Sequence, residues 1–204
     1  MDNNILKFEK KLKDNSRNST EELIRYILFE MQSPIEDYFF AIDILRENYP
    51  KSRDIRIAIL GAYLSSTWFS FKNNGFLELL DEHIAKTDKQ NRAIIYYLHA
   101  YDIYMKCDKE YPPEYSNYLR KSIDFAERFV YNYVRLSEIT DRQEASMLLD
   151  QAIASIETVW DEDQLKKAPS DIFLEYNSFV DEFILGVDIS SFEYEDLLNM
   201  RALL

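Results

Sequence analysis

Residues Asn91 to Lys106, NRAIIYYLHAYDIYMK, are apolar almost all the way round. Beyond Asn91, the polar side chains are Arg92, His99, Asp102 and Lys106. At about 100° per residue they fall on one helical stripe roughly 80° wide. A helix that offers water so narrow a stripe is enclosed by other helices. The stretch therefore predicts a central helix, with the rest of the chain layered on it.

The remainder of the sequence suits that arrangement. Only three glycines and five prolines occur in 204 residues. All-β folds need frequent turn residues, so their scarcity points to long helices and short connections. The length fits one all-helical domain over 1–204, or one short repeat array. Within it, 1–18 reads as an N-terminal arm, 19–137 as a helical-repeat core and 138–204 as acidic C-terminal helices. The single cysteine, Cys107, leaves no intramolecular disulfide. The start, MDNNILKFEKKLKD, lacks an apolar signal-peptide core, and the longest uncharged run, Ile57 to Phe71, is shorter than the about 20 residues of a membrane span. A cytoplasmic protein without membrane contact is expected.

Helix starts are marked by capping signals. Ser19-Thr-Glu-Glu22, Ser33-Pro-Ile-Glu36, Thr87-Asp-Lys-Gln90 and Thr140-Asp-Arg-Gln143 each place a hydroxyl three residues before a side chain that reaches back. Pro34 occupies the first helical position, where no N–H is required, and a tight hairpin is predicted there. Ser52 is expected to cap the next helix, after Asn48-Tyr-Pro50 has ended the preceding one. Gly61 falls mid-helix, where it costs about 1 kcal/mol against alanine, so close approach of a neighbour is expected. Phe76, Leu77, Leu80 and Ile84 outline a short partner helix. Pro112-Pro113 open a helix predicted to run to about Ser137. The next carries Ala145, Leu148, Leu149, Ala152, Ile153, Ile156 and Trp160 at helical spacing. Ser170 and Gly186 bracket a further helix, and 191–204 form the last.

Three helical pairs begin at Ser19, Ser52 and Thr87, 33 and 35 residues apart. Leu60-Gly61-x-x-Leu64 sets a small residue between large ones, and Tyr49-Pro50 stands at a closing position. In these features residues 19–107 resemble the tetratricopeptide repeat family, whose period is close to 34 residues. The resemblance implies an all-α fold of stacked antiparallel helical hairpins, a tetratricopeptide-like solenoid of about nine or ten helices with a concave binding groove. A non-repeating helical bundle is the alternative.

Catalytic chemistry finds little to work with. His83 and His99 are the only histidines, and neither sits in a Glu-x-x-His or His-Glu-x-x-His pair. Cys107 lies two turns from His99, about 12 Å along one helix and too far for a nucleophile–base pair. The glycines stand singly at 61, 75 and 186, so no phosphate-cradling loop or nucleophile elbow exists. No metal site and no cofactor are expected, and the chain leans away from being an enzyme. A groove is conceivable around the central helix, lined by Arg92, Tyr97, His99, Asp102, Tyr104, Tyr115 and Tyr118. Nine of the fifteen tyrosines lie between Tyr96 and Tyr133, and tyrosine suits interfaces as well as helical cores.

Charge is the strongest functional signal. The net value is −13, and residues 141–204 alone hold four Lys/Arg against fifteen Asp/Glu, a net −11. Such a surface repels nucleic-acid phosphates and anionic lipid, and attracts a basic protein. The expectation is a non-enzymatic protein–protein interaction module that masks a basic partner, as immunity proteins, antitoxins and nucleic-acid mimics do. Asp161, Glu162, Asp163, Asp181 and Glu182 are the candidate contacts. The competing expectation is a small-ligand sensor or enzyme with a pocket on the helix 91–106.

Overall fold

The computed structural model describes residue 10 and residues 20–27, 35–68, 75–107, 110–125, 130–157 and 194–204. Among them the chain is all-helical, with nine helices and no strand: α1 Thr20–Arg25, α2 Ile35–Ser52, α3 Ile55–Trp68, α4 Gly75–Asp81, α5 Lys89–Lys106, α6 Pro113–Phe125, α7 Val130–Ser137, α8 Arg142–Glu157 and α9 Tyr194–Leu203. None is long and apolar enough to cross a membrane. The expected hairpin at Ser33-Pro34, the cap at Ser19, and the helix bracketed by Ser170 and Gly186 lie outside the described residues.

The helices pack as two compact units. Residues 1–87 and 101–107 make the first, and 88–100 and 108–204 the second. Helix α5 is common to both: its first twelve residues belong to the second unit and its last two turns to the first. Its burial matches the narrow polar stripe. Ala93, Ile94, Ile95, Tyr97, Leu98, Ala100 and Tyr101 are all in the core, while Arg92 and His99 are half-buried and Lys106 is exposed.

In the first unit α3 is the buried element, and α1, α2 and α4 pack on it. Ile57, Ala58, Ile59, Leu60 and Ala62 have no exposed surface at all. Helix α2 supplies Ala41, Ile42, Ile44, Leu45 and Tyr49, and α4 supplies Phe76, Leu77 and Leu80. Gly61 is where α4 comes closest. A β-carbon there would sit 2.5 Å from the Phe76 ring, inside any tolerable contact.

The end of α2 differs from expectation. The helix continues through Pro50 to Ser52 instead of stopping at Asn48-Tyr-Pro50. A proline in the last turn forfeits one backbone bond, and the buried Tyr49 side chain keeps that turn on the core. Arg53 then ends the helix. Its φ is 55°, and its N–H donates to the Tyr49 carbonyl at 2.8 Å, the bond of a left-handed cap usually made by glycine.

The caps also lie elsewhere than the hydroxyl pattern suggests. Asp54, not Ser52, caps α3: its Oδ1 accepts the Arg56 N–H at 3.0 Å. Asp88, not Thr87, caps α5 by accepting the Asn91 N–H at 2.8 Å, and the Asn91 side chain donates back to its other oxygen. Asp141, not Thr140, caps α8 by accepting the Glu144 N–H at 2.9 Å. In all three a carboxylate meets the partial positive charge of the helix start, which a neutral hydroxyl matches less strongly.

In the second unit α7 packs against α6 and α8, and α9 packs against α8. Tyr115 and Leu119 from α6, Val130, Tyr133, Val134 and Leu136 from α7, and Ala145, Leu148, Leu149 and Ala152 from α8 form the core, with Leu197 of α9 fully covered. The single helix expected from Pro113 to about Ser137 is two helices. Asn132 Nδ2 donates to Ser122 Oγ at 2.7 Å, whereas ten residues of continuous helix would separate them by about 15 Å. The chain folds back so that the Ser122 side of α6 and the Asn132 side of α7 meet.

Candidate functional site

The groove residues proposed on α5 divide between the two units. Asp102 and Tyr104 belong to the first, and Arg92, Tyr97, His99, Tyr115 and Tyr118 to the second.

In the first unit Asp102 is 7% exposed and fully engaged. Ser66 of α3 donates its hydroxyl to Oδ1 at 2.8 Å, and Lys106, one turn along α5, reaches Oδ2 at 2.5 Å. At the adjoining positions, Thr67 donates to the Tyr63 carbonyl at 2.8 Å, so the Tyr101 hydroxyl, 3.1 Å away, donates to Thr67. Tyr101 stacks on Tyr63 at 5.2 Å and on Tyr104 at 6.5 Å. Ser66 is 1% exposed, so no substrate reaches its hydroxyl. The cluster ties α3 to α5. Elsewhere in this unit Tyr49 Oη contacts His83 Nε2, and the two rings meet edge to face. Burial pushes the Tyr49 phenol up from its ordinary value, Arg53 pulls it down, and Glu82 adds to the rise.

In the second unit α5 and α6 meet along a column of flat side chains. The Arg92 guanidinium lies 5.6 Å over Phe125, Phe125 stacks on Tyr96 at 5.7 Å, Tyr96 on Tyr118 at 6.3 Å, and Tyr118 on His99 at 4.7 Å. Positions 92, 96 and 99 make one stripe of α5, and 118, 121 and 125 one stripe of α6, so the rings of one helix slot between those of the other. All are half-buried except Lys121, which is exposed and holds its ammonium 5.4 Å over Tyr96 and 5.7 Å over Tyr118. Tyr97 and Tyr115 are core residues, at 1% and 2% exposure. Below the column, Ser122 donates to the Ala93 carbonyl at 2.6 Å while accepting from Asn132. Tyr96, Lys121 and Phe125 were not singled out in the sequence. Tyr96 was within reach, standing four after Arg92 and three before His99; nothing marked the two α6 residues as facing it.

The acidic candidates Asp161, Glu162, Asp163, Asp181 and Glu182 lie outside the described residues. Described carboxylates of the same third of the sequence have structural work. Asp141 caps α8, Glu144 pairs with Arg120 of α6, and Asp150 takes a two-pronged contact from Arg201 of α9 at 2.5 and 3.0 Å. That guanidinium, chiefly through its hydrogen bond, holds the Asp150 carboxyl below its ordinary value against the desolvation that opposes it, with its charge adding to the effect. Residues 158–193 hold nine Asp/Glu and two Lys/Arg, a net −7. Among the described residues no three His, Cys, Asp or Glu side chains converge as metal ligands would. No protein-family model matches the chain, and no curated protein or solved structure matches it.

Proposed function

We propose that the chain is a non-enzymatic protein-binding module whose acidic C-terminal third meets a basic partner, in the manner of an immunity protein, an antitoxin or a nucleic-acid mimic. One observation carries this. Of the net −13, −11 falls in residues 141–204, and the described carboxylates at 141, 144 and 150 are spent on a cap and two ion pairs. The excess therefore resides in 158–193, where self-repulsion is costly unless something offsets it. The likeness of 19–107 to tetratricopeptide repeats supports the same class, since such stacks serve to bind proteins. A pocket on α5 for a small ligand or substrate has less support: Asp102 is occupied by Ser66 and Lys106, and His99 stacks on Tyr118.

The test begins with affinity capture from the native cell to identify the partner. Association kinetics are then measured at about 50 and 300 mM salt, where screening differs strongly. Changing Asp161, Glu162 and Asp163 together to lysine slows association and flattens its salt dependence, because complementary charge acts mainly on encounter. The melting temperature stays near that of the wild type. Equal association rates at low salt would show the acidic third to be a solvated face.

A further inference from the structure

We infer that the outer face of α9, formed by Leu198, Asn199, Ala202 and Leu203, is the seat for a basic amphipathic helix of the partner protein. The inference rests on the reading of the partner as basic, and it adds an apolar contact to the charge already argued.

Helix α9 has two sides. At about 100° per residue, positions 198, 199, 202 and 203 fall within about 140° of arc, opposite Leu197. Leu197 is fully covered, Met200 and Arg201 are half-buried, and all four outer residues are exposed. Arg201 reaches Asp150 of α8, which fixes the inner side. The outer side carries no charge, although 30% of the residues in this chain are charged. The exposed positions of α6, by comparison, include Glu114, Arg120, Lys121 and Asp124. Leu198 is 42% exposed and Leu203 85%, two of the four large apolar side chains that stand exposed among the described residues. A surface helix turns its polar residues to water, so one that is apolar on both sides has a use for each.

Charge and area choose the occupant. A second copy would bring another −13 to the contact and be repelled. Three apolar side chains also fall far short of the about 800 Å² per partner that holds a stable dimer. A basic partner meets attraction instead, because residues 158–193, which lead into α9, hold nine Asp/Glu and two Lys/Arg, a net −7. Leu198 and Ala202 stand one turn apart and form a ridge, which packs into the groove between side chains of a second helix. A helix bonds its own inner backbone groups, so it offers no edge to an extended strand. The occupant is therefore a helix with apolar residues at three- and four-residue spacing and Lys or Arg along its flanks.

The probe is an amphipathic peptide of about fourteen residues, leucine on one face and lysine and alanine on the other, with binding to the full chain measured by calorimetry. A peptide of the same composition with its leucines scattered is the control. Leu198→Gln is expected to weaken the amphipathic peptide by about three- to ten-fold, the worth of covering part of a leucine, and to leave the scattered one unchanged. Phe39→Gln, at the same 42% exposure in the first unit, changes neither. Equal binding of the two peptides, or equal effects of Leu198→Gln and Phe39→Gln, would overturn the inference. Two other results would overturn it as well. A dimer in sedimentation that Leu198→Gln dissociates would put a second copy on the face. A melting temperature lowered much more by Leu198→Gln than by Phe39→Gln would put a segment of the same chain there. The triple lysine change at 161–163 weakens both peptides but leaves the Leu198→Gln increment intact. Failure of the acidic third therefore reads out separately from failure of the α9 face.

Discussion

Ser66 on α3 donates its hydroxyl hydrogen to Asp102 on α5, bridging 36 positions of sequence at 2.8 Å. Both groups are buried, so each needs the other. Ser66→Ala leaves a buried carboxylate oxygen without its donor and is expected to cost about 1–3 kcal/mol. A double-mutant cycle with Asp102→Asn, read by urea unfolding, should give a coupling above about 0.5 kcal/mol. Additive losses would show that the two side chains are neighbours without being partners.

Leu98 has no exposed surface and sits at the middle of α5. Leu98→Ala is expected to destabilise by about 2–5 kcal/mol, through lost transfer energy and the cavity left behind. A shift below about 0.5 kcal/mol in urea would place α5 at the periphery.

Alanine normally favours a helix over glycine by about 1 kcal/mol. At Gly61 the sign reverses, because the new β-carbon meets the Phe76 ring at 2.5 Å. Gly61→Ala should destabilise by about 1–3 kcal/mol, the usual range for overpacking. Combining it with Phe76→Leu should recover part of that loss. A more stable Gly61→Ala variant would contradict the close approach of α4.

Arg53 holds φ at 55°, in a region that costs a side chain about 1–2 kcal/mol. Glycine adopts it freely but loses more chain entropy on folding. Arg53→Gly is therefore expected to raise stability by about 0.5–1 kcal/mol in thermal unfolding, and a lowered melting temperature would refute it.

Burial opposes ionisation of Asp54, but the Arg56 side chain and backbone N–H outweigh it and hold the carboxyl below its ordinary value. A carboxylate lowered in the folded state stabilises fully above its unfolded value, about 3.9, and loses that contribution as pH falls through the folded value. Asp54→Ala should thus cost about 1 kcal/mol near neutrality as a lost cap. Unfolding followed from pH 7 down to about pH 2.5 should show wild type and variant converging only below pH 4. A constant gap across that range would remove the carboxylate from the account.

The periodicity of apolar residues made α5 legible before any coordinate. A narrow polar stripe leaves a helix nowhere to go but inside. Caps were legible only to within one or two residues. Ser52 stands two residues before an aspartate and Thr87 and Thr140 one, and pattern alone cannot rank a hydroxyl against a carboxylate that reaches the same helix start. The break between α6 and α7 left no local trace, because Ala126-Glu-Arg-Phe129 contains neither glycine nor proline. What reveals it is Asn132 meeting Ser122, a contact between helices that no local pattern encodes. The same reason hid Lys121 and Phe125 of the aromatic column.

Because α5 serves both units, the chain cannot complete them in the order it is made. The first unit is unfinished until Cys107 has left the ribosome. By then Ala93, Ile94, Ile95 and Leu98 are already out, with α6, whose Ser122 bonds the Ala93 carbonyl, still unmade. Synthesis of residues 108–157 takes about 3–10 s at ordinary elongation rates. For that interval the buried face of α5 lacks the cover that α6 gives it. A nascent chain of this design calls for a chaperone, or for slow decoding to be avoided, between the codons of Cys107 and Glu157.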